Sequence, residues 1–316
     1  MKVLIIVLQA LLLFCNLVQA GNYAYITNQG DNNVSVIDLD QNTVIKKIKV
    51  GYRPAGVVAS NNGERVYVTN PESKNISIID TKSNSVIKTL PVGDGPVGIA
   101  ISPADDKVFI ADWYQNVISI LDTVNLEVTT KITVGKSPSG IAVSQDGKTI
   151  YVANRDDNNV MLVDIVTGSV MEQITVGKAP FGVTLSADGK LLFVANVQSS
   201  DVSIINLKDN KVIANVPVGN FPYAIASNLK KEKIYVTNQR DSSVSVVDLA
   251  TNKTVNTIEV GEYPEGIALH PSGQNLYVAN WFDGTVTVID IETLTVINEI
   301  ESGEGSRAFG DFISVH

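Results

Sequence analysis

The residues of this chain best suited to gripping a ligand stand at two fixed registers. One register holds Gln29, Pro71, Trp113, Arg155, Val197, Gln239 and Trp281, and the next position holds Gly30, Glu72, Tyr114, Asp156, Gln198, Arg240 and Phe282. A second register flanks a proline or its equivalent. Arg53, Phe221 and Tyr263 precede it, and Phe181, Tyr223, Glu265 and Arg307 follow it, where other copies hold only Ala55, Val97 and Ser139. Both tryptophans of the protein belong to this set. Flat rings beside guanidinium groups are the usual chemistry of a recognition surface, because they bury apolar area while keeping directional polar contacts. The candidate binding residues are therefore Arg53, Trp113, Tyr114, Arg155, Phe181, Phe221, Tyr223, Arg240, Tyr263, Glu265, Trp281, Phe282 and Arg307.

Catalytic constellations are harder to find. The chain has two histidines, His270 and His316, and one cysteine, Cys15. No Ser/His/Asp set, histidine cluster or glycine-rich phosphate loop is visible. Met161 and Met171 read as packing residues rather than haem ligands. A hydrolase would have to work with rim carboxylates such as Glu265, Asp283 or Glu304. No catalytic residue, metal site or cofactor is expected, and a binding module is favoured over an enzyme.

What positions these residues is a repeat. Tyr25-Ile26-Thr27-Asn28 returns as Tyr67-Val68-Thr69-Asn70 and Phe109-Ile110-Ala111-Asp112, then as Tyr151-Val152-Ala153-Asn154, Phe193-Val194-Ala195-Asn196, Tyr235-Val236-Thr237-Asn238 and Tyr277-Val278-Ala279-Asn280. The seven copies are each 42 residues apart. Within one period lie four short β-type segments joined by turn residues, as in Ile76–Asp80, Ser85–Val92 and Gly98–Ser102 after Tyr67–Asn70. That period and content predict an all-β, seven-bladed β-propeller of four-stranded antiparallel blades. Residues present in nearly every copy serve the blade, since one site does not need seven copies. The Asn28 register and the Asp38 register (Asn206 in one copy) are accordingly read as turn chemistry. The small residues Gly56, Gly98, Gly140, Gly182, Ala224, Gly266 and Ala308 mark the innermost strands, where the blades converge. His270 replaces a hairpin serine and reads as a surface turn residue.

The repeat is out of phase with the ends of the chain. The first blade met lacks an innermost strand, and Ser306–Ile313 falls at that missing position. The ring is expected to close by this C-terminal strand joining the three N-terminal strands, which removes open sheet edges. Ahead of them, Lys2 and the apolar run Val3–Phe14 lead to Val18-Gln19-Ala20, a secretory leader cleaved after Ala20. The run is shorter than the ~20 residues a membrane span requires. Residues 1–20 are thus expected to be a signal peptide and 21–316 the propeller, periplasmic or secreted, a monomer with no membrane insertion after cleavage. The chain carries 24 basic against 33 acidic residues, a net charge of −9, so nucleic acid is not an expected partner.

The Tyr-Val-Thr-Asn phrase, the Val50-Gly51-Tyr52-Arg53-Pro54 turn and the Ser144-Gln145-Asp146-Gly147 hairpin with their copies resemble the YVTN-type β-propeller family. The resemblance covers the mature chain. Its wider group includes archaeal surface-layer proteins, bacterial periplasmic propellers, lactonases, and the propeller domains of cytochrome d1 nitrite reductase and nitrous oxide reductase. It implies that the loops after the Asn register and around the Pro register form one rim, the usual binding face, where the competing role for each aromatic is to plug the channel mouth. The expected function is an exported binding or scaffold propeller for a small molecule, peptide or partner protein. The alternatives are a lactonase-like hydrolase and an accessory protein of a periplasmic redox or cofactor pathway.

Overall fold

A computed structural model of the chain describes residues 21–315. The expected leader at 1–20, Cys15 within it, and His316 lie outside the described residues. Seven four-stranded antiparallel sheets form the ring. Six blades run in chain order from the axis outward, the first being Val57–Ala59, Arg65–Asn70, Asn75–Asp80 and Ser85–Pro91. The innermost strands of the second to sixth blades are Pro96–Ile101, Pro138–Val143, Pro180–Leu185, Pro222–Asn228 and Pro264–Leu269. The seventh blade joins Ile313–Val315 to Asn22–Asn28, Asn33–Asp38 and Thr43–Lys49. The expected fold class and the closure by a C-terminal strand hold, but that strand is Ile313–Val315 rather than Ser306–Ile313, of which Ser306 keeps only an isolated bridge to Asn28.

Burial explains why strict alternation is missing from the middle strands. Both faces of each middle strand pack on neighbouring blades, so Val66–Asn70 and Ile76–Ile79 are buried without a break. The outermost strands bury little; in Thr43–Lys49 only Ile48 is fully covered. Their lysines and glutamates discourage edge pairing with other chains.

Turn chemistry accounts for the repeated polar residues. Asp38, Asp80, Asp122, Asp164, Asp248 and Asp290 each accept a backbone N–H from the residue three positions on. The Asn register works differently from the expected capping of loop backbone. The Asn28 amide is buried and donates to Asn33 Oδ1 at 2.7 Å and Ser35 Oγ at 2.8 Å, side chains of the next strand. Asn70, Asn196, Asn238 and Asn280 repeat this pattern. Only Asp112, the one carboxylate in that register, receives the loop N–H groups of Asp94, Tyr114 and Gln115. His270 is the expected turn residue, its Nδ1 2.7 Å from Ser272 Oγ.

The small residues of the innermost strands are required by contact with the next blade. A Cβ on Gly98 would overlap the Ser139 carbonyl oxygen, and one on Gly140 would overlap that of Phe181. The innermost strands of the second to sixth blades also carry a register shift, for example between Pro180 and Val183 and between Pro264 and Ile267. Such bulges free a residue from the ladder and re-aim its side chain. The break falls beside the register of Phe181, Tyr223 and Glu265, and the next, small residue turns its N–H out of the ladder, as Ala224 does to Thr237 Oγ1 at 3.0 Å.

Candidate functional site

The two loop sets meet on one rim because the backbone ties them together. Gln239 N–H donates to Phe221 O at 3.0 Å, and Trp281 N–H donates to Tyr263 O at 2.9 Å. Phe221, Tyr263 and Arg53 hold left-handed backbone conformations, with φ of 57°, 53° and 51°. That conformation costs a non-glycine residue about 1–2 kcal/mol, so the turn keeps its shape against local preference. Short 3₁₀ turns at Arg155–Asp157 and Gln239–Asp241, absent from the sequence reading, lift Arg155 and Arg240 to the same rim.

At the channel mouth the bulged residues converge. Phe181 of the fourth blade stacks on Tyr223 of the fifth, ring centroids 4.2 Å apart. Phe309 of the closing segment lies 4.9 Å from Phe181 and 5.5 Å from Tyr223. Trp113 of the second blade stands 6.1 Å from Phe181, with the Arg155 guanidinium 5.7 Å from its ring. Beneath them, Arg307 Nε lies 2.7 Å from Glu265 Oε2, and Arg307 Nη2 donates to the Tyr223 hydroxyl. Gln239 Nε2 donates to Glu265 Oε1 at 2.8 Å.

The electrostatics follow from burial. Desolvation pushes the Glu265 carboxyl up, opposed by Arg307 and Gln239. Desolvation alone would lower Arg307, but the facing Glu265 and Tyr223 outweigh it and hold the guanidinium charged. At 2.7 Å the pair is ionic, and Glu265 is therefore committed to Arg307 rather than free to act as a base. Burial also pushes the Tyr223 phenol up, which keeps it a neutral hydrogen-bonding group.

Over this floor opens a cleft of about 220 Å³ lined by Trp113, Tyr114, Phe181, Arg307, Val97, Gly95 and Pro71. Tyr114 is 73% exposed, so its ring is offered to solvent. Ligand pockets commonly measure ~300–1,000 Å³, so the cleft suits one ring or one side chain rather than a large planar group.

The remaining candidates do not join this cleft. Trp281, Tyr263 and Phe282 form a second aromatic group, with centroids 6.2–6.4 Å apart, and Trp281 Nε1 donates to Gln29 Oε1 at 3.0 Å. Arg240 covers Phe221 at 3.6 Å, and Arg53 pairs with Glu72 at 3.2 Å on an exposed loop. Asp283 and Glu304 are exposed, and Asp283 accepts the Glu262 N–H at 2.6 Å. Phe309 was missed by sequence reasoning. A gapless 42-residue alignment makes it an ordinary strand residue, and only the path of the closing segment brings it to the mouth.

Similarity to known proteins agrees with this architecture. A family model described as YNCE-like beta-propeller matches residues 100–188, and one described as Cytochrome D1 heme domain matches residues 18–140. Among solved structures, hydrazine synthase of Kuenenia stuttgartiensis superposes with a TM-score of 0.77 at 25% identity, over 84% of this chain and 91% of that one. A functionally unknown protein from Desulfotomaculum acetoxidans DSM 771 gives a TM-score of 0.80 at 17% identity, over 93% and 98%. Dihydro-heme d1 dehydrogenase NirN, in complex with DHE, gives 0.71 at 14% identity, over 90% and 74%. The last two share the fold alone. No curated protein matches the chain by sequence. Each of the two family models covers less than half of the chain, and both agree with the repeats and the ring.

Proposed function

We propose that this propeller, whose repeats fit a family related to the cytochrome d1 domain, is an exported binding module that serves a redox or cofactor pathway. The observation that carries the binding reading is the mouth cleft. Trp113, Tyr114 and Phe181 present apolar faces there, over an arginine held in place by Glu265 and Tyr223. A fixed guanidinium under aromatic walls suits a ligand or partner side chain that combines a flat apolar group with a hydrogen-bond acceptor. The redox or cofactor setting is supported by the cytochrome D1 match and by the likeness to hydrazine synthase. The leader-like N-terminus supports export.

The cytochrome D1 description brings a haem to mind, and the residues at the mouth do not fit one. Haem iron needs an axial ligand such as His, Met, Cys or Tyr. Among the described residues, His270 lies in a hairpin turn at the opposite end of its innermost strand. Met161 is packed in the core of the second and third blades, and Met171 is on an outermost strand. Tyr223 is buried, with its hydroxyl bound by Arg307, and the exposed Tyr114 borders a cleft of only about 220 Å³, too small for a macrocycle. The hydrolase reading loses its strongest carboxylate, because both oxygens of Glu265 face partners.

A thermal-shift and fluorescence screen of small aromatic acids and short aromatic peptides tests this reading. Hits should saturate with wild type and weaken by about thirtyfold with Trp113→Ala, the ~2 kcal/mol typical of an aromatic anchor. Hits that bind the Trp113→Ala protein equally well would refute the cleft.

A further inference from the structure

The seventh blade departs from the repeat in a way that builds a second site. Its start is regular: Ser306 bridges Asn28 as the prolines bridge their asparagines. In the sixth blade Leu269 pairs with Leu276, so Asp311, 42 residues after Leu269, should pair with Ala24. Ile313 pairs with Ala24 instead, two residues later than the repeat spacing would place it. The extra length swings across to the first blade. Val57 N–H donates to Phe309 O at 3.0 Å, and Ala59 N–H to Asp311 O at 2.8 Å. Gly310 makes the turn at φ 130°, where any Cβ would overlap the Val57 carbonyl.

This detour carries Asp311 into the central channel. Below the aromatic rings of the mouth the channel widens into a cavity of about 540 Å³. It opens at the hairpin end, beside Asn61, Pro103 and Ala187. Its walls mix apolar side chains, Ile141, Val183, Leu185, Ile225 and Ile267, with polar groups such as Ser60, Thr184 and Ser227. The hydroxyls there are already used: Thr184 Oγ1 donates to Ile225 O, and Ser227 Oγ to Leu185 O. No lysine, arginine, histidine or second carboxylate lines the cavity among the described residues. Among the described residues the Asp311 carboxylate has no hydrogen-bond or ion-pair partner. Its side chain is exposed to the channel water, and the channel walls around it push the carboxyl above its ordinary range by partial desolvation.

We infer that the channel below the mouth is a binding site for a small organic cation, an amine or quaternary ammonium whose apolar body lies against the isoleucine and valine walls while its charge meets Asp311. A carboxylate with no countercharge inside a protein-walled channel concentrates negative potential there, and a cation relieves it. A single carboxylate is a poor site for calcium or magnesium, which need several oxygen ligands. An ammonium with a short alkyl or aryl body needs only one countercharge and apolar contact. The net charge of −9 adds a general attraction for cations. This site is separate from the mouth cleft and does not depend on the function proposed for it.

The test is calorimetric titration of the full mature protein with butylammonium and benzyltrimethylammonium, with butanol and butyrate as neutral and anionic controls. Saturable binding of the cations at pH 7.5 is expected, with neither control binding. Asp311→Asn should weaken it at least tenfold, Asp311→Glu should retain it, and Trp113→Ala should leave it unchanged. Melting curves of each variant confirm the fold, and Val183→Phe, which narrows the tube without touching the charge, should weaken binding independently. No saturable binding, equal binding by folded Asp311→Asn, or calcium binding as well as butylammonium would each overturn the inference.

Discussion

Arg307 and Glu265, 42 residues apart and on the last and sixth blades, form a buried ion pair with Nε 2.7 Å from Oε2 at the mouth of the channel. Their side chains are only 19% and 8% exposed, so each desolvated charge depends on the other. The same arginine reaches the Tyr223 hydroxyl, and the pair thereby joins three successive blades under the aromatic cluster.

Breaking this pair from one side leaves a charge buried without a partner. Glu265→Ala and Arg307→Ala are each expected to cost about 3–5 kcal/mol. The double variant Glu265→Ala/Arg307→Ala should cost clearly less than the sum of the two single losses. Urea denaturation of the four proteins measures it, and strictly additive losses would mean that the pair does not act as a unit.

Asp311 sets a pH dependence with a definite sign. Its folded pKa is raised by desolvation above the unfolded value of about 3.9. Its contribution is therefore fully present below that unfolded value and is lost as pH rises through the folded one. Glu265 shifts in the same direction, so the variant must be compared with wild type across pH. Asp311→Asn should gain on wild type as pH rises from about 4 to 7. Melting curves over this range decide it, and a constant difference would show that Asp311 is not desolvated.

Closure should depend on a segment far shorter than its effect. A chain ending at Gly305 loses the Ser306–Asn28 bridge, the Ile313–Val315 strand, and the Phe309 and Asp311 contacts to the first blade. It exposes two sheet edges and the apolar core surface that the buried Phe312 covers. Loss of cooperative unfolding or aggregation is expected, followed by calorimetry and light scattering. A melt like that of the full protein would contradict ring closure.

The two tryptophans should separate. Trp113→Ala removes a wall of the cleft, whereas Trp281→Ala disturbs the Tyr263–Phe282 group and its bond to Gln29. Ligands of the mouth should lose affinity with the first and not the second. Ile78→Ala, at a fully buried position, should instead cost about 2–5 kcal/mol of stability with binding per folded molecule unchanged.

Gly98 offers a steric test of the inner ring. Gly98→Ala places a methyl against the Ser139 carbonyl of the next blade and should cost about 1–3 kcal/mol or more, the usual range for overpacking. Gly273→Ala, where nothing lies within 4 Å, carries only the strain of its φ of 75°. Guanidinium unfolding of both variants should rank Gly98→Ala as the worse.

The sequence by itself determined the ring. Strands, turn residues and the 42-residue period are local properties, and Asp80 shapes its turn through atoms three residues away. Counting the copies therefore counts the blades, and the phase of the ends foretells which strand must return. Positions at the mouth were legible only as departures from the repeat. Trp113, Phe181, Tyr223 and Arg307 stood out in this way, but so did Trp281 and Phe282, which the fold sends to another group. Which departures touch depends on how far each bulge turns a side chain and on contacts between residues tens to hundreds of positions apart. Tertiary structure alone decided the last blade. Ring closure makes the first and last innermost strands neighbours, and extra chain bridges the seam between them. That seam carries Phe309 to the mouth and Asp311 into the channel, because the backbone amides of Val57 and Ala59 need partners that no local pattern supplies.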